Sequence, residues 1–154
     1  MGVMTLSAVF AIGHFDMTDN DQASWDKFRA RMQAIPKAVR QQCEPALIKS
    51  ANELANSMKD KAPKRTGRLA DSITVTKPNE TTPPYSQPGG SATAEELEAI
   101  VTVGNSDVRY PHLVEYGTSK MPAQPFFWPS ARELQKRIKG RLKRTIKKAV
   151  EGTK

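Results

Sequence analysis

Residues Val101 to Pro129 read V-T-V-G-N-S-D-V-R-Y-P-H-L-V-E-Y-G-T-S-K-M-P-A-Q-P-F-F-W-P, a stretch that few chain paths satisfy. Val101 and Val103 alternate with Thr102, the period of a half-buried strand. Gly104, Asn105, Ser106 and Asp107 form a turn cluster. Tyr110, Leu113 and Val114 then recur at helical spacing, and Gly117 ends that one-turn helix as a C-terminal glycine does. Phe126, Phe127 and Trp128 follow between Pro125 and Pro129. This predicts a large apolar surface on a stiff, non-helical backbone that locks the core.

The rest of the chain supplies what that stretch packs against. Thr5 to Ile12 is apolar without a basic segment before it, which predicts a first strand rather than a signal peptide. Thr18 to Asp21 offers capping residues, and Trp25, Phe28, Met32 and Ile35 line one face of a helix that Pro36 ends. An interior proline removes a helical hydrogen bond, so Glu44-Pro45 reads as the first turn of a new helix running to about Lys61. Its expected inner face is Ile48, Ala51, Leu54, Ala55 and Met58. Thr66-Gly67 makes a corner, and Leu69, Ile73 and Val75 open a central strand. Residues 78–94 hold four prolines and two glycines and predict a flexible loop without regular structure, ordered only in an assembly. The loop joins strands over 69–77 and 97–104 as an oversized hairpin. A last helix over 130–150 carries a narrow stripe of Ala131, Leu134, Ile138, Leu142 and Ile146. The expected fold is α+β: a small, mostly antiparallel sheet flanked by two long helices, in a single domain over residues 1–154.

Charge sharpens the reading of that last helix. Residues 130–154 carry ten Lys/Arg against two Glu, which is the whole net charge of +8. The helix is therefore a solvated face, a contact for an acidic partner, or a contact for DNA phosphate. Lys136, Lys139, Arg141, Lys143 and Lys147 are the candidate contacts. No aromatic residue interrupts the helix after Trp128, which disfavours stacking on single strands. A lone cysteine, Cys43, excludes an internal disulfide and fits a reducing cytoplasm. No apolar run is long enough to span a membrane.

Enzymatic chemistry has little to stand on. His112 and Glu115 have an i, i+3 spacing that could hold a metal, yet the only other histidine is His14. No Ser/His/Asp set, Cys-x-x-Cys pair or phosphate-binding glycine loop is present, so no catalytic residue, metal site or cofactor is expected. A carboxylate beside a buried aromatic residue, as expected of Glu115-Tyr116 at the end of a one-turn helix, needs donors. Backbone amides of a neighbouring turn, or Arg68, could supply them.

Four pieces stand in order along the chain: A-P-x-x-T-G-x-L-x-x-S-I from Ala62 to Ile73, a strand ending Val103-Gly104, Y-x-x-x-V-E-Y-G-T from Tyr110 to Thr118, and P-F-x-x-P from Pro125. Together they resemble the head–tail connector (neck, or tail-completion) proteins of long-tailed bacteriophages and phage-like particles, over roughly residues 45–150. Pro111 departs from the small residue that commonly follows the tyrosine. The resemblance implies a non-enzymatic virion protein, made in the bacterial cytoplasm. It would form a homo-oligomeric ring at the head–tail junction and complete the DNA channel. Its neighbours would be connector or stopper proteins and tail-tube or tail-terminator proteins, with no membrane involved. Thr66, Gly67, Leu69, Ser72, Tyr110, Glu115, Tyr116, Gly117, Thr118, Pro125 and Phe126 are the motif residues expected at or behind subunit contacts. A tail-terminator ring is the alternative within that class. A small basic nucleic-acid-binding protein or nuclease, using His112 and Glu115, is the alternative outside it.

Overall fold

The computed structural model describes residues 37–87 and 91–152, with Lys27 before them. The expected first strand and the helix lined by Trp25 and Ile35 lie outside those residues, Lys27 apart.

Helix α1 spans Lys37–Lys61 without a break, so the start expected at Glu44-Pro45 is corrected. Pro45 sits on the exposed side of the helix. The carbonyl it leaves unpaired, that of Gln41, therefore lies where water can satisfy it. The buried face is Leu47, Ala51, Leu54, Ala55 and Met58, at helical spacing. Leu47 takes the inner place expected of Ile48, which is only half-buried. Lys59 and Lys61 fall in the last turn, where a positive charge meets the negative end of the helix dipole.

A four-residue turn of helix, α2, covers Arg68–Asp71. Leu69 is thus helical and buried rather than the opening of a strand. Strands β1 (Ile73–Thr76) and β2 (Ile100–Val103) pair antiparallel, with Ile73 opposite Val103 and Thr76 opposite Ile100. The expected hairpin is present with shorter arms, because Ser72 ends α2 and turns the chain into β1. Ser72 Oγ donates to the Leu69 carbonyl and accepts the Gly104 amide, which ties the corner to the end of β2.

The segment over 78–94 holds no helix or strand among its described residues, as expected, but isolated bridges tie its arms together. Asn79 and Ala94 exchange bonds with the far arm, Thr81 bridges Thr93, and the Thr82 amide donates to the Ala92 carbonyl. Gln87 and Val103 donate to each other's carbonyls at 2.8 and 2.9 Å, so the returning chain adds a third strand position beside β2. Prolines are accommodated because these contacts are short and fall between them.

Helix α3 is Pro111–Tyr116 and helix α4 is Phe127–Glu151. The aromatic knot is thus corrected from a non-helical segment to the first turn of α4. Pro129 fits there because the first-turn amides have no helical acceptor in any case. Helix α4 runs antiparallel to α1: Glu133 meets Lys61, Arg137 and Arg141 meet Glu53, and Ala149 packs near Val39 and Cys43. Between the helices and the sheet lies one core joining Leu54, Met58, Leu69, Ile73, Val101, Phe126, Ile138 and Leu142. The architecture is α+β, two long helices flanking a small antiparallel sheet. Among the described residues, no helix is long and apolar enough to cross a membrane.

Candidate functional site

The motif residues converge on α3 and the loop that leads from it into α4. Glu115 is buried, and its carboxylate is fully employed. Oε2 accepts the amides of Phe126 and Phe127 at 2.9 and 3.0 Å, and Oε1 accepts that of Trp128 at 3.1 Å. A negative charge on the free amides of a helix N-terminus is favoured both by the hydrogen bonds and by the dipole. Of the two donor sets open to Glu115, the structure uses the backbone amides, while Arg68 is exposed.

The intervening chain is held equally tightly. Gly117 has φ +75°, and a β-carbon there would stand 2.7 Å from the Ala123 nitrogen and 2.9 Å from the Met121 carbonyl oxygen. Only glycine admits both the conformation and the approach. Thr118 and Met121 close a turn on each other, and the Gln124 amide returns to the Val114 carbonyl. Trp128 Nε1 donates to the Tyr116 hydroxyl at 2.9 Å, and Phe127 meets Trp128 edge-on with ring centres 5.3 Å apart. Phe126 is fully buried. Behind α3, Gln87 bonds His112 Nδ1 at 3.1 Å, and Arg109 lies over the Tyr85 ring at 4.1 Å. The paired loop is thereby fastened to the same corner.

Outward, this rigid corner shows apolar surface. Tyr110, Leu113 and Tyr116 are 38, 42 and 57 % exposed. They recur every three residues on the side of α3 opposite the buried Pro111, Val114 and Glu115. Thr118 and Pro125 are exposed beside them. Tyr116, expected to be a buried aromatic beside Glu115, is thus exposed, and the structure corrects that expectation. The signal was the i, i+3, i+6 spacing of two tyrosines around a leucine, out of phase with Val114.

The other motif residues divide. Leu69 and Ser72 are buried, Thr66 is exposed, and Gly67 adopts φ +75° at the start of α2. Nothing crowds Gly67, so its requirement is the backbone angle alone. Along α4, Lys136, Lys143 and Lys147 are exposed and Lys139 is half-buried. Arg141 differs from them. It reaches the Ser50 hydroxyl at 3.0 Å and the Glu53 carboxylate, a pairing that joins α4 to α1. Glu53 was not singled out in the sequence, because only the helix pairing brings it opposite two arginines.

Among the described residues, no group of three His, Cys, Asp or Glu side chains is placed to hold a metal ion. His112 and Glu115 are each occupied by the bonds described above, so their spacing reflects local structure. Burial raises the Cys43 thiol above its usual range, which leaves it a poor nucleophile.

Neither a curated protein nor a solved structure matches the chain significantly. A family model described as "Bacteriophage HK97-gp10, putative tail-component" matches residues 26–117, from before α1 to the glycine that ends α3. That span takes in the Thr66-Gly67 corner, the strand pair and the Tyr110–Gly117 motif. The chain belongs to this HK97-gp10-like family of bacteriophage tail components.

Proposed function

We propose that the chain is the structural subunit of a homo-oligomeric ring at the head–tail junction of a tailed phage or phage-like particle. In that position it completes the DNA channel and joins the tail to the filled head. Family membership supports a tail or neck component, and one structural observation carries the reading further. The Tyr110, Leu113 and Tyr116 ridge is exposed, yet Glu115 and the glycine turn brace it from behind. A monomer has no use for an apolar ridge held at such cost, whereas an interface gains from anchors that lose little freedom on binding. Tyrosine is also enriched in the cores of protein interfaces. Function here lies in shape and contact, with neighbouring connector and tail proteins above and below the ring.

Native mass spectrometry of the purified protein tests the self-association. A single closed oligomer is expected, and Leu113→Asp should return it to monomer while leaving its circular dichroism unchanged. Wild-type protein that stays monomeric over a wide range of concentration, with tail proteins present or absent, contradicts the ring.

A further inference from the structure

The packing of α4 against α1 separates seven of its nine positive charges into two groups, with Arg144 and Lys148 outside both. Arg137 and Arg141 both turn to Glu53, whose single negative charge is held between them within the subunit. Of α4's two carboxylates, Glu133 pairs with Lys61 and Glu151 reaches Lys147 at 3.8 Å. Arg132, Lys136, Lys139, Lys143 and Lys147 follow at steps of three or four residues. They fall along the other flank of the helix, beside the buried line of Ala131, Ile138, Leu142 and Ala149. From Arg132 to Lys147 this row extends about 22 Å. Lys136, Lys143 and Lys147 stand well into solvent, and no carboxylate of α1 meets them.

We infer that this flank is a track for the phosphate backbone of duplex DNA. The inference deepens the proposed function by naming the partner of α4, and it rests on that reading. Two features favour a nucleic acid over an acidic protein. First, the exposed positions of this flank from Arg132 to Lys147 are basic, with one exposed apolar side chain, Val150, at the end, and a protein interface gathers its affinity from apolar and aromatic anchors while lysine is depleted there. Second, a regular line of flexible cations fits a regular line of phosphates, which needs no shape complementarity. The absence of aromatic residues also selects duplex over single strand, since single-strand binding uses stacking platforms. In a ring each subunit would present one such row, so weak contacts are multiplied without fixing the DNA in place.

Fluorescence anisotropy with a short random-sequence duplex tests this on the full-length protein. Binding through Lys136, Lys143 and Lys147 predicts a log–log salt slope of roughly −3 between about 50 and about 200 mM salt. The combined variant Lys136→Gln, Lys143→Gln, Lys147→Gln should weaken binding at least tenfold and flatten the slope by about three. A control, Lys49→Gln, Lys64→Gln, Lys77→Gln, removes the same net charge from exposed positions elsewhere and should change binding less than about threefold. Thermal melts monitor folding of both variants. No duplex binding by wild-type protein at the lowest salt, equal weakening by both variants, or displacement by polyglutamate at matched charge each overturns the track. Native mass spectrometry in the same buffers separates the outcomes. A ring that ignores DNA retains the proposed function and loses the track, whereas DNA binding by an obligate monomer loses the ring.

Discussion

Glu115 shows how one side chain can set a surface it does not belong to. Its carboxylate holds three consecutive amides at the start of α4, and the same residue stands in the turn of helix that displays Tyr116. The sequence made part of this legible, since a carboxylate in an apolar motif must find donors. It could not choose between Arg68 and the amides, because the choice depends on how the 117–125 loop folds back. Glu115→Ala leaves three amides without their acceptor, and should cost about 2–4 kcal/mol in urea unfolding. Glu115→Gln, which keeps one acceptor oxygen, should recover part of the loss. An alanine variant as stable as wild type would mean that water replaces the carboxylate and that the corner is less rigid than argued.

Among the elements, periodicity located the two long helices and the strand pair, but not their ends. Helix α1 passes through Pro45 because the proline lies on the solvent side, a fact of orientation that a local rule about proline cannot see. Helix α4 takes in Phe127 and Trp128 because Glu115 supplies acceptors that the local sequence lacks. The 78–94 segment holds no helix or strand among its described residues, as its composition implies, but its cross-links were not legible. Its composition forbids a long strand but permits isolated pairs, and Gln87 finds the open edge of β2. The buried Thr82, Ser86 and Ala94 make this hairpin part of the fold. Deleting residues 80–92 should therefore lower stability by about 2 kcal/mol, the scale of two net backbone hydrogen bonds. An unchanged denaturation midpoint would show that the segment contributes only to assembly.

For the whole molecule, one fold offers two different outward surfaces. Helix α3 presents an apolar ridge braced from within, and α4 presents cations on the flank away from the two arginines that pair with Glu53. The charge imbalance of the last helix was plain from composition, but its division between internal and external partners required the helix pairing. The ridge was hidden for another reason. Tyr116 reads as a buried aromatic beside Glu115, so the sequence did not show that it shares a surface with Tyr110 and Leu113. The central claim is that this ridge joins subunits at the head–tail junction, and electron microscopy of complemented particles tests it most directly. Cells lacking the protein should accumulate filled heads and finished tails that do not join, and wild-type protein should restore joined particles. Leu113→Asp, folded and equally abundant, should leave them apart; joined particles in wild-type number from that variant would contradict the account.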